Sequence, residues 1–183
     1  GEKVCLMGKN GTGKSTFVKA VLGNEDSICQ GEIKLGSNVS IGYIPQEIRF
    51  EDENATVLET SRKFYEGTET YLRASLAKFL FYGQNVFQRG GTLSGGEKVR
   101  CVLSKIMLSG ANLLIFDEPT NHLDMESITA LNEGMKKFNG IILFTSHDHQ
   151  LTQTVANRII DLKQDKLIDR ETTYDEYLEE IKW

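Results

Sequence analysis

The sequence predicts an α/β fold in which a mainly parallel sheet is flanked by helices, with a small helical insert. An apolar run at 4–7 is followed by a glycine-rich loop and then by a helical stretch that ends at Gly23. Two further runs, at 113–116 and 141–144, are apolar throughout and bracket a helical stretch at 127–138. Such continuously apolar strands are typical of a parallel sheet, because helices bury both of its faces.

The middle of the chain carries two different periodicities. From 31 to 44, apolar residues alternate with polar ones around Gly36-Ser37-Asn38, and this pattern predicts a β-hairpin. Residues 55–82 contain no proline, and their apolar residues recur at helical spacing. We therefore predict two helices in this segment, which form the insert.

The remaining elements follow from spacing and from helix stop signals. After Gly96, apolar residues recur at the i, i+3, i+4, i+7 spacing of a core-facing helix. Gly110 is expected to end this helix, since glycine readily adopts the left-handed conformation found at helix C-termini. Beyond the strand at 141–144, the pattern predicts two short strands and a final acidic helix, at 158–162, 166–169 and 174–181.

Composition excludes several classes of protein. With 183 residues, of which 39% are hydrophobic and 26% charged, the chain has the balance of one globular domain. The net charge of -5 gives no general attraction to nucleic acid or to anionic lipid. No apolar run approaches the roughly 18 residues of a membrane-spanning helix, so we expect no membrane insertion. Cys5, Cys29 and Cys101 are too scattered for a disulfide framework or a zinc site, which favours a reducing, cytoplasmic compartment.

The glycine-rich loop between the first strand and the first helix predicts a phosphate site. Its glycines allow consecutive backbone N–H groups to face phosphate oxygens, and the N-terminus of the following helix adds its positive end. We expect Lys14 to neutralise the β- and γ-phosphate oxygens, Ser15 to bind Mg²⁺ and Thr16 to contact the α-phosphate. The loop matches the Walker A pattern and predicts a nucleotide site formed by Gly8, Lys9, Asn10, Gly11, Thr12, Gly13, Lys14, Ser15 and Thr16.

Two carboxylates directly follow the apolar strand at 113–116. Asp117 is expected to hold Mg²⁺ through its water shell. Glu118 is expected to orient or deprotonate the attacking water, a role that favours a carboxylate beside the metal over one bound to it. The alternative, a solvated acidic turn after a buried strand, is disfavoured, and most clearly so because the phosphate loop is present in the same chain.

A second glycine-containing motif, Leu93-Ser94-Gly95-Gly96-Glu97, stands at the start of a predicted helix. Its hydroxyl and backbone N–H groups at a helix N-terminus offer a second anion site. The motif resembles the signature sequence of ATP-binding cassette (ABC) proteins, which caps the γ-phosphate of ATP bound to the opposite cassette. The resemblance implies the ABC type of P-loop NTPase core, and it implies that a partner's ATP is contacted by Ser94, Gly95, Gly96 and Glu97.

Two more segments resemble loops of the ABC family and occur in the family's order. Residues 43–46 resemble the glutamine loop, which implies that Gln46 reaches Mg²⁺ and the attacking water. Residues 121–124 resemble the loop that crosses the interface between two cassettes. The resemblance implies interface positions for Asn121, Leu123 and Asp124, whereas His122 is given no catalytic role.

Residues 145–148 resemble the switch segment of the family, in which a histidine at the end of an apolar strand contacts the γ-phosphate. Here that histidine is His147. The resemblance therefore implies a catalytic set and a metal-binding set, the first made of Lys14, Gln46, Glu118 and His147 and the second of Ser15, Gln46 and Asp117.

The run from Asp117 to Asp124 closely resembles the form found in the ABC-F family, whose members carry two cassettes on one chain and act on ribosomes. Segments 145–149 and 173–178 most resemble the second cassette of the YbiT-like branch. The resemblance implies ATP and Mg²⁺ as cofactors, with ATP closing two cassettes on each other and hydrolysis releasing them. The implied partners are a second ABC cassette, on the same chain or in a homodimer, and the ribosome with its rRNA, contacted through the full-length protein.

The resemblance also implies a domain organisation. We expect one nucleotide-binding domain at 1–183, with a core at 1–50 and 93–169, a helical subdomain at 51–92 and a C-terminal helix at 173–181. The chain begins at Gly1 and has no initiator Met, so we expect it to be a piece of a two-cassette protein. The aromatic residue that stacks on adenine in this family is then expected further upstream.

Three other functions stay open at this point. The nucleotide-binding subunit of an ABC membrane transporter shares the fold and would dock a membrane subunit against 50–92. A nucleotide sensor without catalysis is less favoured, because Glu118 and His147 are present. A DNA-repair or chromosome-structure ATPase would carry a long coiled coil, and the sequence has no heptad run.

Overall fold

The structure is a computed structural model that describes residues 1–24, 26, 28, 30–44, 50–121 and 123–181. The chain divides into two compact units. The first comprises Gly1–Gln46, Asn112–Asn121 and Phe138–Trp183, and the second comprises Glu47–Ala111 and His122–Lys137. These units have other bounds than the organisation expected from the sequence. A helical subdomain at 51–92 therefore stays a prediction.

The first unit contains a six-stranded sheet in the described part of the chain. Its strands are β1 (Lys3–Gly8), β2 (Ile41–Ile44), β3 (Leu113–Asp117), β4 (Ile141–Thr145), β5 (Arg158–Leu162) and β6 (Leu167–Arg170). The strand order is β2-β3-β4-β1-β5-β6, and every neighbouring pair is parallel except the antiparallel pair β5 and β6. The predicted α/β fold with a mainly parallel sheet is confirmed. Because β3, β4 and β1 are adjacent and parallel, their carboxyl ends meet at one edge of the sheet.

The helices occur where the apolar spacing predicts them, with one addition. They are α1 (Lys14–Val21), α2 (Val57–Arg62), α3 (Glu69–Ala77), α4 (Gly95–Leu108), α5 (Met125–Lys137), α6 (His149–Val155) and α7 (Tyr174–Ile181). The pair of insert helices, α2 and α3, is confirmed, as are α1, α4, α5 and α7. Helix α6 was not predicted from the sequence. Asp148 caps its start, because the Asp148 carboxylate accepts a hydrogen bond from the N–H of Leu151.

The sheet of the first unit is covered on both faces, as its continuous apolar strands require. Val4 and Leu6 of β1 pack with Val18 and Val21 of α1 in one buried cluster. Cys5, between them in the strand, points to the opposite face, where its Sγ lies 3.9 Å from the Thr152 Oγ1 of α6. The loop that leaves β1 is therefore anchored by a strand whose first four residues are buried.

The second unit has its own core and two matching helix starts. Its core is a cluster of buried residues from α2, α3, α4 and the segments between them: Val57, Leu72, Leu76, Phe81, Val86, Leu93 and Cys101. Helix α2 begins with a capping box of Thr56 and Glu59, and α4 begins with one of Ser94 and Glu97. These boxes explain why both helices start at these residues.

The predicted hairpin at 31–44 is wrong. Only 41–44 forms a strand, β2, and it pairs in parallel with β3. The turn exists, since the N–H of Val39 donates to the Gly36 carbonyl at 3.0 Å, but residues 31–40 are all exposed. The side chain of Asn112 holds this segment beside β3, accepting from the Ser40 N–H at 2.9 Å and donating to the Asn38 carbonyl at 2.7 Å. The alternating pattern thus lacked a buried face, and the pairing partner lay far away in the sequence.

Among the described residues, the structure contains no helix that is both long and apolar enough to span a membrane.

Candidate active site

The loop after β1 is held by a hydrogen bond between its own residues, and the N-terminus of α1 that follows it has no side-chain cap. Gly8 has a φ of +148°, and a Cβ there would lie 2.5 Å from Thr12 Oγ1 and 2.7 Å from the Leu162 carbonyl oxygen, so only glycine fits. The hydroxyl of Thr12 donates to the Lys9 carbonyl at 2.8 Å. Gly13, at a φ of +98°, is the N-cap of α1, and no side chain caps this helix. The first N–H groups of α1 are therefore left for an external acceptor.

Lys14 is buried in the loop that it follows. Its ammonium donates to the carbonyls of Gly8 at 2.8 Å and Lys9 at 3.3 Å. An ammonium has three N–H donors, so one remains for a further acceptor. Burial and these two hydrogen bonds hold the Lys14 ammonium in position at the uncapped N-terminus of α1.

The end of β3 carries the two predicted carboxylates. Asp117 is half-buried, and its Oδ1 accepts a hydrogen bond from the Thr145 hydroxyl at 2.8 Å. The same hydroxyl oxygen accepts from the N–H of Glu118, also at 2.8 Å. Glu118 has a φ of +50°, in the left-handed region that non-glycine residues seldom adopt. The N–H of Asn121 donates to the Glu118 carbonyl at 3.2 Å and closes the turn.

Glu118 has one carboxylate oxygen with a partner and one without. Its Oε1 lies 3.3 Å from Nε2 of His147, whose side chain is 60% exposed. Its Oε2 is buried and has no hydrogen-bond partner within the part of the chain that the structure describes. An unpaired buried carboxylate oxygen is costly, so this atom is suited to a water or ligand donor.

Lys14, Glu118 and His147 line one cavity, whereas Asp117 is not among the described residues that line it. It has a volume of about 370 Å³ and is lined by Asn10, Gly11, Gly13, Lys14, Ser15, Glu118, Asn121 and His147. A larger cleft, of about 1060 Å³, lies along the loop residues 7–12 and Lys14, with Ser146, His147 and 161–166 completing its lining. Thr16 is exposed in the first turn of α1. Gln46 and His122 lie outside the described residues.

The predicted signature residues lie in the second unit, at the start of α4. Ser94 Oγ accepts from the N–H of Glu97 at 3.2 Å, and Glu97 Oε2 accepts from the N–H of Ser94 at 2.9 Å. The Ser94 hydroxyl also donates to Glu126 Oε1 of α5 at 3.2 Å. A Cβ on Gly96 would lie 2.8 Å from Glu126 Cγ, so a larger residue there would displace the Glu126 side chain.

The predicted interface loop ends at the start of α5. The Asp124 carboxylate accepts from the N–H of Ser127 at 2.8 Å, and hydrogen bonds from Ser127 hold the pKa of Asp124 below its ordinary value. Asp124 and Asn121 are exposed, and Leu123 is partly buried. A Cβ on Gly95 would lie 2.4 Å from Ser127 Oγ, so the signature and the start of α5 are closely packed within this unit.

The donor set fits a metal that arrives with a nucleotide. Among the described residues, no three His, Cys, Asp or Glu side chains are grouped so that they could hold a metal ion. A hydroxyl from Ser15 and a carboxylate from Asp117 are hard oxygen donors of the kind that bind Mg²⁺ together with phosphate oxygens and water. These two residues therefore suit Mg²⁺ only as part of a nucleotide complex.

Two ionisable neighbours of the site stay uncharged at neutral pH. Burial, and to a smaller extent the Glu118 charge, raises the pKa of Cys5 to about 12, so its thiol is not a nucleophile. Burial and the Asp117 charge raise the pKa of Tyr43 on β2 above its ordinary value.

Two contacts at these sites were not predicted from the sequence. Thr145 bonds the Asp117 carboxylate and the Glu118 N–H, and the only sequence signal for these bonds is a polar residue at the end of an otherwise apolar strand. Glu126 bonds Ser94, and nothing in its sequence context points to this contact.

Comparison with known proteins identifies the family. A family model described as ABC transporter matches residues 1–121. "Uncharacterized ABC transporter ATP-binding protein YkpA" of Bacillus subtilis (strain 168) is 45% identical over 182 residues, 97% of this chain and 34% of that protein. "Probable ATP-binding protein YbiT" of Escherichia coli O157:H7 is 40% identical over 183 residues, 97% of this chain and 34% of that protein. "ABC transporter F family member 5" of Arabidopsis thaliana is 36% identical over 182 residues, 98% of this chain and 26% of that protein.

Two solved structures are also similar. The inward-facing conformation of a putative metal-chelate type ABC transporter matches 93% of this chain and 72% of that chain, with a TM-score of 0.73 at 23% identity, which supports the fold alone. The complex of archaeal ribosomal stalk protein aP1 and archaeal ribosome recycling factor aABCE1 matches 87% of this chain and 31% of that chain, with a TM-score of 0.65 at 27% identity.

The chain spans about a third of the length of the curated relatives that it matches. Their names confirm the resemblance to ABC-F proteins, and the assignment to a second cassette stays a prediction. From the family match and the fold, the chain belongs to the ABC transporter family, as an ATP-binding domain whose relatives include ABC-F proteins.

Proposed function

We propose that this domain binds ATP with Mg²⁺ in the cavity after β1 and hydrolyses the ATP when a second cassette contributes its signature. The observation that carries the proposal is the convergence of Lys14, Glu118 and His147 on one cavity, with the buried Oε2 of Glu118 unpaired among the described residues. In this proposal residues 1–183 act as one nucleotide-binding domain, with 51–92 as its helical subdomain.

The phosphate groups are held by the loop and by the start of α1. The uncapped N–H groups of α1 face the phosphates, and the buried ammonium of Lys14 uses its remaining donor on a β- or γ-phosphate oxygen. Bound Mg²⁺ supplies charge neutralisation at the phosphates, and Ser15, Asp117 and Gln46 would hold it. Thr16 contacts the α-phosphate.

Glu118 activates the attacking water. The water lies against the unpaired Oε2 and attacks the γ-phosphorus in line with the bond to the β,γ-bridging oxygen. A new oxygen–phosphorus bond forms, the bridging bond breaks, and Glu118 takes the water's proton. His147 holds the other carboxylate oxygen of Glu118 and contacts the γ-phosphate from its exposed position.

Pairing completes the site. ABC cassettes work in pairs, and in this chain the signature belongs to a different unit from the phosphate loop. In the proposed pair, the residues from Ser94 to Glu97 contact the ATP of the partner, while Asn121, Leu123 and Asp124 line the interface. A single copy of the domain therefore binds ATP and hydrolyses it slowly.

We further propose a role on the ribosome for the protein that carries this domain. Support comes from the relatives named as F family members and from the similarity to the ribosome recycling factor aABCE1 in its complex with a stalk protein. Because the net charge is -5, we expect the contacts with rRNA to lie partly outside this chain. We expect the protein that carries this domain to co-sediment with ribosomes when ATP is present. If it captures a membrane subunit and does not bind ribosomes, a role in a transporter is favoured instead.

The substitution Glu118→Gln tests the chemistry. It is expected to preserve ATP binding and to lower hydrolysis by about 10²- to 10⁴-fold, because the water loses its general base. Nucleotide affinity is measured by calorimetry and hydrolysis by phosphate release over a range of protein concentrations. Glu133→Gln, which makes the same charge change on an exposed site of α5, is the matched control. Unchanged turnover in Glu118→Gln, or rapid turnover that is independent of concentration, would contradict the proposal.

A further inference from the structure

We infer that Thr145 is a positioning residue for hydrolysis, whose hydroxyl sets both the Asp117 carboxylate and the Glu118 backbone. The inference rests on the proposed function, since it concerns the residues to which metal binding and water activation are assigned there.

The Thr145 hydroxyl is fully committed to these two residues. Thr145 is completely buried, is the last residue of β4 and is the register partner of Asp117, the last residue of β3. Its single proton goes to Asp117 Oδ1, and its oxygen accepts the N–H of Glu118, both at 2.8 Å. One hydroxyl therefore fixes the rotamer of one carboxylate and the backbone of the next residue.

The second of these bonds holds a strained residue in place. Glu118 has a φ of +50°, which costs free energy for a residue with a Cβ and persists only where the surroundings hold it. The described bonds to its backbone are the one to Thr145 and the one from the Asn121 N–H at 3.2 Å. In this conformation the carboxylate meets His147 through Oε1 and keeps Oε2 unpaired. Loss of the Thr145 bond would let Glu118 relax and move its Oε2.

Packing alone does not call for a hydroxyl here. The three residues before Thr145 in β4 are buried and apolar, and valine has nearly the shape of threonine without its polar atom. A buried hydroxyl is retained at low cost only where it is hydrogen-bonded, and both of its partners are residues of the proposed site. We therefore explain the hydroxyl of Thr145 by its role in positioning Asp117 and Glu118.

Thr145→Val is the direct test, in the full chain. Because a shift of about 1 Å in a reacting group costs on the order of 10²-fold in rate, we expect kcat to fall by about 10- to 100-fold. The KM for ATP is expected to stay within about twofold, since the phosphate loop is untouched. Mn²⁺ replaces Mg²⁺ as a spectroscopic probe, and the ATP-loaded variant is expected to bind it more weakly in electron paramagnetic resonance titrations. Without nucleotide, the Glu118 amide is expected to exchange its hydrogen at least about tenfold faster, because its acceptor is gone.

Thr145→Ser keeps the hydroxyl and is expected to restore kcat, Mn²⁺ affinity and amide protection to near wild-type values. Thr152→Val is the matched control, because Thr152 is also buried and bonded, to the Asp148 carbonyl, but touches neither carboxylate. If Thr145→Val does not fold, the pair Thr145→Ser and Thr145→Ala, which differ only by the hydroxyl, makes the same comparison.

The outcomes separate this inference from the proposed function. If Glu118→Gln is inactive while Thr145→Val turns over at the wild-type rate with a protected Glu118 amide, the inference is wrong and the proposed function stands. If Thr145→Ser is as impaired as Thr145→Val, keeping the hydroxyl does not preserve hydrolysis, which also overturns the inference. If the wild-type chain neither binds nor hydrolyses ATP, the proposed function itself fails.

Discussion

Two glycine-containing loops of this chain each begin a helix, and they leave their helix N-termini in opposite states. The loop before α1 ends in Gly13, whose left-handed backbone starts the helix with no side-chain cap. The loop before α4 ends in Ser94, which closes its helix start through a full capping box with Glu97 and a further bond to Glu126. Both loops match patterns that bind phosphate, yet only the first begins its helix without a side-chain cap.

The difference indicates how the two loops divide the task. An uncapped helix start beside a buried ammonium is prepared for an anion, so the loop before α1 should bind nucleotide by itself. At the start of α4, the Ser94 hydroxyl and the N–H groups of Ser94 and Glu97 already have partners in their own unit, so we expect a free phosphate to gain less there. Under the proposed function, we expect it to bind phosphate only when a partner's ATP displaces or rearranges these contacts.

The largest expected effect separates the two loops. Lys14→Ala removes the buried ammonium of the first loop and should weaken ATP binding by about 10- to 100-fold, as expected for a lost hydrogen bond to a charged group. Lys19→Ala, which removes an equal charge from the exposed last turn of the same helix, is the control. Calorimetry with ATP and Mg²⁺ measures both. Equal affinities for the two variants would mean that Lys14 does not hold the phosphates.

The next effect concerns the cap of α4. Ser94→Ala should destabilise the second unit by about 1 kcal/mol through loss of the N-cap, and it should also abolish most of the hydrolysis that depends on pairing. Thr56→Ala removes the matching capping box of α2 and should cost about as much stability while leaving hydrolysis unchanged. Thermal unfolding and phosphate release are measured on both variants. A loss of hydrolysis in Thr56→Ala would show that stability, and not contact with a nucleotide, explains the Ser94 result.

A smaller effect tests the competing carboxylate. Glu126→Gln removes a negative charge that is bonded to Ser94 and should lower the ATP concentration needed for pairing by about two- to fivefold, the size of one charge at a helix N-terminus. Glu133→Gln on the same helix again serves as control. Pairing is followed by light scattering with Glu118→Gln as background. If pairing weakens, Glu126 supports the Ser94 contact instead of opposing it.

The smallest change is expected in hydrogen exchange at low pH, and only in the first turn of a helix that a carboxylate caps. Hydrogen bonds lower the pKa of Asp124 below 3.8 in the folded chain, so its cap of α5 is present above that pH and is lost as the pH falls through the lowered value. Gly13 does not titrate, so α1 should not respond. Hydrogen exchange, corrected for its intrinsic pH dependence, is compared at the Ser127 and Phe17 amides. Asp124→Asn should remove the difference between them, and an equal acid response of both helices would contradict it.

Much of the fold followed from local pattern. The phosphate loop was predictable because its glycines, Lys14 and Ser15 stand at fixed spacing between an apolar strand and a helix. The carboxylates were predictable because they directly follow the buried strand β3. The edge strand β2 was misassigned to a hairpin because its partner β3 lies some 70 residues later, and alternation specifies no partner.

The finer geometry of the site was beyond the sequence pattern. The left-handed backbone of Glu118 and its bond to Thr145 arise from strand register, which sets Thr145 opposite Asp117. The bond between Glu126 and Ser94 depends on how α4 and α5 pack, and no spacing rule predicts it. Both contacts join residues that are far apart in the chain, so tertiary structure alone creates them.

Complementation between two inactive variants tests whether two copies of the domain share their ATP sites. In a pair that shares its sites, Glu118→Gln lacks the base and Ser94→Ala lacks the signature contact, but a mixed pair holds one complete site. We expect each variant alone to be nearly inactive and an equal mixture to recover about a quarter of wild-type hydrolysis. Half of the pairs in the mixture are mixed pairs, and each mixed pair has one working site where a wild-type pair has two. A mixture no more active than its components, under conditions where the wild-type chain hydrolyses ATP, would contradict the shared site.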